Sequence, residues 1–157
     1  MNLKHRFTNQ YLKAKILEVS REDYKRIKRD NGFSFNWDIE KSHKTCKIFL
    51  LSDQESILGL MSLVDRPDEY RIHLNRLEVV RSQQGKEKQI DNIAGCLIAF
   101  AASLAVKKGY NGFVSLEPKT ELIDHYQNKY GFRQYGRYLA VEGSYSNQLI
   151  DKYLSDE

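Results

Sequence analysis

The sequence predicts an α/β fold: a mixed central sheet, an antiparallel meander continued by a parallel βαβ crossover, with helices on its faces. Three observations predict it. Residues 45–80 hold three apolar, strand-like runs separated by short polar turns, and such short connections join antiparallel neighbours. A polar loop, a long alanine-rich apolar run and another short strand then follow, which is the pattern of a parallel crossover. A chain of 157 residues, 41% hydrophobic and 29% charged, suits one domain, 1–157, with its own core.

Each element has its own signal. From Lys13, the residues Ala14, Ile16 and Val19 alternate with Lys15 and Glu18 as a first strand, whose phase slips at Leu17. Ser20 is a helix N-cap for Arg21–Asp30, with Glu22 and Asp23 in the first turn and Asn31-Gly32 as the stop. Phe33, Phe35 and Trp37 form a short segment without a period. The meander is Thr45–Leu51, a turn at Ser52–Glu55, Ser56–Val64, a turn at Asp65–Glu69 around Pro67, and Tyr70–Val80. In the third of these strands Ile72 and Leu74 are apolar in one phase, Leu77 and Val79 in the other. A strand that keeps one face on a core changes phase only through an extra residue, so a β-bulge is expected near Asn75-Arg76.

Arg81–Gln89 reads as a loop. Ile93–Val106 is apolar nearly all round, too short for a membrane span and too alanine-rich for a strand, so it is a buried helix, ended by Lys107, Lys108 and Gly109. Gly112–Glu117 is a short strand broken by Pro118. Thr120 caps a helix running to Tyr130, with Leu122, Ile123, Tyr126 and Tyr130 on one stripe and Gly131 closing it. Phe132–Val141 is a further strand region, and Gln148–Leu154 a terminal helix.

Composition excludes several classes. No apolar run is long enough to cross a membrane, and the amino terminus has charge without the apolar stretch of a secretion signal. Cys46 and Cys96 lie in apolar surroundings and read as reduced core thiols of a cytoplasmic protein. The four histidines are scattered and no Cys-x-x-Cys is present, so no metal site is expected. Ser103 and Ser115 lack an elbow motif for a hydrolase. Residues 1–30 carry nine Lys/Arg against four Asp/Glu, a net of +5, while the whole chain is +4. A basic interaction module reading nucleic acid through this segment is therefore one alternative, although no nucleic-acid motif accompanies it.

The strongest local chemistry is the strand, polar loop and helix start at residues 80–95. Helix N-termini offer unpaired N–H groups and a positive dipole end, which bind phosphates. The junction is Gln89-Ile90-Asp91-Asn92-Ile93-Ala94; Ala94 and Gly95 are small enough for close approach, and Lys86 and Lys88 stand just before it. There is no Gly-Lys-Ser/Thr of a nucleotide triphosphatase.

The order of these elements resembles the GNAT superfamily of acetyl-CoA-dependent N-acetyltransferases. Gln89-x-x-Asn92-x-Ala94 is similar to its Arg/Gln-x-x-Gly-x-Gly/Ala pyrophosphate motif, with Leu97 where the family usually has leucine. Leu77-Glu78-Val79 resembles its Leu-x-Val strand end, and Tyr126 to Gly131-Phe132 its Tyr-(3–4 residues)-Gly-Phe segment. The resemblance spans roughly Thr45–Val141. Asn92 in place of glycine and the long Val80–Gln89 loop are departures; after Gly, Asn is one of the residues most tolerant of unusual backbone angles.

What the resemblance implies is a sheet whose bulged strand and next parallel strand splay apart, between Leu77–Val80 and Val114–Glu117, with the pantetheine arm of acetyl-CoA in the gap. The implied cosubstrate-binding residues are Leu77, Val79, Val80, Lys86, Lys88, Gln89, Asn92, Ile93, Ala94 and Gly95, with an N–H near Val79 polarising the acetyl carbonyl. The implied reaction is direct attack of a primary amine, from a small molecule or peptide, on the thioester. Tyr126 is the implied acid and Glu78 the implied base, with Glu117 a second candidate. A GNAT-like domain that binds acyl-CoA or a protein partner without turnover is the alternative in this family. Monomer and homodimer are both compatible with the exposed sheet edges.

Overall fold

The computed structural model describes residues 1–155. Its strands and helices, in chain order, are β1 (Lys4–His5), β2 (Ala14–Glu18), α1 (Arg21–Asp30), β3 (Lys44–Leu50), β4 (Asp53–Arg66), β5 (Arg71–Val79), β6 (Ile90–Asp91), α2 (Ile93–Lys107), β7 (Val114–Leu116), α3 (Ile123–Tyr130), β8 (Arg133–Tyr135), β9 (Tyr138–Val141) and α4 (Gly143–Leu154). Seven strands form one mixed sheet in the order β2-β3-β4-β5-β7-β9-β8, with β5 and β7 its parallel pair. The expected meander and crossover are both present.

Local chemistry explains the elements. Ser20 and Asp23 form a reciprocal capping box at the start of α1: Ser20 Oγ accepts from the Asp23 N–H at 3.2 Å, and Asp23 Oδ2 accepts from the Ser20 N–H at 2.9 Å. Asn31, in the left-handed region, ends the helix. Buried Asp23 also meets Lys47 at 2.8 Å, which fastens α1 to β3. Leu17, where the β2 pattern slips, is 50% exposed on the sheet edge. The bulge falls where expected: Ser62 pairs with Arg76 and Leu63 with Leu74, leaving Asn75 as the extra residue.

Two layers cover the sheet. On one face α2, α3 and α4 pack over a core that includes Ile48, Met61, Leu74, Leu97, Ile98 and Val114. On the other, α1 and the 33–37 segment enclose Ile27, Phe33, Trp37, Ile57 and Leu60. A Cβ on Gly59 would lie 3.0 Å from Ile93 and 3.1 Å from Leu97, so glycine lets α2 settle directly on β4.

Several boundaries differ from expectation. The β3–β4 turn is only Leu51-Ser52, because the ladder extends into exposed polar residues as far as Asp53. The helix expected from Thr120 opens with a 3-10 turn, Thr120–Leu122, and is α-helical only from Ile123. Phe132–Val141 is a hairpin turning at Gly136, and α4 begins at Gly143, before Gln148, with buried Ser146 Oγ donating to Gly112 O at 2.6 Å. The segment after Phe35 contains a 3-10 helix, Trp37–Ser42. The amino-terminal residues form an unexpected strap. β1 pairs antiparallel with β6, Leu3 is fully buried, and the Asn2 N–H donates to Tyr153 O at 2.7 Å. No helix among the described residues is long and apolar enough to cross a membrane.

Candidate active site

The cleft arises from how little of β5 is paired on its β7 side. β5 is the fourth of seven strands, so both of its edges should be satisfied. Yet β7 pairs with it only at Ile72↔Val114 and His73↔Ser115. Beyond the Asn75 bulge the strands part. Leu77, Glu78, Val79 and Val80 are only half-buried although they lie mid-sheet. The Val80 N–H donates to Leu58 O on β4 at 2.8 Å, and backbone groups alternate sides along a strand, so those of Leu77 and Val79 face the opening. The Val79 carbonyl there accepts from Gln84 Nε2 at 2.6 Å.

The loop from Val80 to Gln89 is two 3-10 turns, Arg81–Gln83 and Gly85–Glu87. Gln83 Oε1 accepts from the N–H groups of Gln89 (2.9 Å) and Ile90 (3.0 Å). Asn92 then takes φ +76°, ψ 17°, the left-handed conformation that glycine would adopt freely. Its side chain does not cap α2; it donates to Asn2 O at 2.9 Å. The first helical N–H groups, from Ile93, Ala94 and Gly95, are left without a cap, and the first bond of the ladder is Cys96 N–H to Asn92 O at 2.9 Å. Gly95 is glycine for packing: a Cβ there would collide with the Tyr153 ring.

Lys88, just before this helix start, is within electrostatic reach of Lys129, as is Lys152. Burial, then the positive charges of Lys88 and Lys152, hold the Lys129 ammonium below its ordinary value, with Asp91 opposing. Lys88 also pairs with Asp91 at 3.4 Å. Lys86, by contrast, is exposed on the outer turn of the loop. Lys129 and Lys152 had no signal in the sequence, because the convergence of α3 and α4 on this point is a tertiary fact.

Tyr126 lies half-buried on α3, packed against the α2-side core with Phe132 at 5.7 Å and Tyr130 at 6.0 Å between ring centroids. Burial raises its phenol pKa, and its hydroxyl has no hydrogen-bond partner among the described residues. Glu78 points to the other face, where both carboxylate oxygens are engaged: with the Ser34 N–H at 2.6 Å, the Phe35 N–H at 3.2 Å and Trp37 Nε1 at 3.0 Å. Glu117, just past β7, is 48% exposed and pairs with Arg137 at 3.1 Å. Near the cleft's closed end, Ser115 Oγ is 2.9 Å from His73 Nδ1 and accepts from Arg71 Nη1 at 2.7 Å. Burial and then Arg71 hold the His73 imidazole below its ordinary pKa. No group of three or more metal-ligating side chains occurs among the described residues.

Solved structures share this architecture. The spermidine N-acetyltransferase of Vibrio cholerae, in complex with CoA and spermine, superposes with a TM-score of 0.63 at 12% identity, over 86% of this chain and 98% of that one. The YlbP N-acetyltransferase of Bacillus subtilis, in complex with coenzyme A, gives 0.57 at 13% identity, over 85% and 97%. A GNAT-family acetyltransferase of Staphylococcus aureus gives 0.56 at 13%, over 82% and 98%. No family model matches the sequence, and no curated protein matches it. The fold of this chain is that of the GNAT superfamily of N-acetyltransferases.

Proposed function

We propose that the protein is an acetyl-CoA-dependent N-acetyltransferase acting on a primary amine. The observation that carries this reading is the unpaired edge of β5 at Leu77–Val79 in the middle of a sheet, opening beside the bare N–H groups of Ile93–Gly95. An exposed strand edge accepts an extended amide-bearing arm as an added strand, and an uncapped helix start accepts a diphosphate. In this reading Leu77, Val79 and Val80 hold the pantetheine arm. Gln89, Asn92, Ile93, Ala94 and Gly95 hold the diphosphate, with Lys88, Lys129 and Lys152 supplying charge and Lys86 the outer approach. Asn92 fits the glycine position of the motif because its backbone already has the left-handed conformation.

Acetyl-CoA supplies the activated acetyl group. The Val79 N–H, facing the opening, donates to the thioester oxygen as negative charge develops there. The amine loses a proton through water to Glu117, and its nitrogen forms the new C–N bond as the C–S bond breaks. Tyr126, kept protonated by burial, gives its proton to the departing thiolate. Gln84 leaves the Val79 carbonyl, and Gln83 the loop amides, as the cosubstrate takes their places.

Calorimetry with CoA, followed by free-thiol release from acetyl-CoA with a panel of spermidine, a lysine-containing peptide and free peptide N-termini, tests the reading. Heat of binding, a raised melting temperature and thiol release with at least one amine are expected. No heat and no melt shift sink it. Binding without thiol release across the panel assigns the chain to the non-catalytic alternative.

A further inference from the structure

Two carboxylates stitch one segment to the strand that borders the cleft. Glu78 reaches from β5 to three donors in residues 34–37. Glu40, buried at the far end of the same segment, reaches back. Its Oε1 accepts from Asn75 Nδ2 of the bulge at 2.6 Å and from Ser62 Oγ at 2.8 Å. Arg76, beside the bulge, adds its guanidinium over the Phe35 ring at 3.6 Å. The segment is thus held at both ends, and it overlies the face of the sheet away from α2; on the transferase reading the amine enters from this face, because α2, α3 and α4 cover the other.

We infer that Glu78 is a positioning residue. It latches residues 33–37 over the acceptor side of the cleft and so shapes the acceptor subsite, and it does not take the amine's proton. A carboxylate offers about four acceptor positions, and here three are filled by N–H groups. Two of those come from successive backbone amides, whose direction is fixed by the chain. Behind the segment, toward α1, a cavity of about 290 Å³ lined by Tyr24, Lys28, Phe33, Phe35 and Trp37 gives a released loop room to fall back. Release of the latch therefore opens the acceptor side without disturbing the Leu77 and Val79 backbone that faces the gap.

The kinetic arm of the test rests on the transferase reading; the structural arm does not. Glu78→Ala and Glu78→Gln are compared with the parent chain by hydrogen exchange at Ser34 and Phe35, by emission of Trp37 (the only tryptophan in the sequence) and by steady-state kinetics with whichever panel amine turns over fastest. Exchange at Ser34 and Phe35 is expected to rise about tenfold or more in the alanine variant and less in the glutamine variant, whose one carbonyl oxygen still accepts. Trp37 emission shifts in the same order. The acceptor KM rises about tenfold, kcat stays within about threefold, the acid limb of the kcat–pH profile is unmoved and the acetyl-CoA KM is unchanged. Unchanged exchange overturns the inference. So does a roughly hundredfold loss of kcat at constant KM with the acid limb gone, the mark of a lost base. If the parent chain turns over no amine, the transferase reading fails and exchange with Trp37 emission decides the latch alone.

Discussion

Asn92 carries a side chain in a conformation that usually favours glycine, and its amide is spent on Asn2 O at 2.9 Å. Asn92→Ala keeps the left-handed strain and loses that bond, so it should cost about 1–2 kcal/mol, read as a lower melting temperature. Asn92→Gly removes the strain and loses only the bond, so it should melt above the alanine variant. On the proposed reading, Tyr126→Phe should leave CoA affinity within about twofold and slow thiol release by about 10²-fold or more, since it deletes the proposed proton donor and little else. The place of Tyr126 on its helix was legible from the helix period, while its proposed role came from the resemblance of the Tyr126 to Gly131-Phe132 segment. The environment of Glu78 was not, because its three donors lie about 40 residues upstream in a segment with no period to read.

The Val80–Gln89 loop already makes, with two glutamines, bonds that the proposed reading gives to the cosubstrate. Gln84→Ala frees the Val79 carbonyl, and CoA should bind about two- to tenfold more tightly by calorimetry, since one competing hydrogen bond no longer has to be broken. Gly95→Ala should cost about 1–3 kcal/mol in a denaturant titration, because a methyl there drives α2 against Tyr153 of α4. The meander and its bulge could be read from sequence because a two-residue period exposes any slip: Ile72 and Leu74 against Leu77 and Val79 allow one extra residue, and Asn75 is that residue. β1 and β6 could not. Each is two residues long, too short for a period, and they are joined only through contacts spanning more than 80 residues.

Across the molecule, the groups that hold the α2-side core resist ionisation. Burial pushes the Cys96 thiol up to about 12 and raises the Tyr126 and Tyr130 phenols. In the unfolded chain these groups lose their protons near 9 and 10, so at high pH the unfolded state binds fewer protons than the native one and stability falls as pH rises. Their contribution should be complete below about pH 9 and lost progressively above it, seen as a steep decline of melting temperature in alkaline buffer. The layered plan, with its parallel pair and flanking helices, was readable from texture alone; the convergence of Lys88, Lys129 and Lys152 needed the folded chain. The amino-terminal strap binds distant parts into one unit: Asn2 to Tyr153 and Asn92, Leu3 to the core, and Lys4–His5 to Ile90-Asp91. Trimming residues 1–6 would therefore soften the melt and, on the proposed reading, blunt nucleotide capture with it, making heat tolerance and cosubstrate grip two readings of a single fastening.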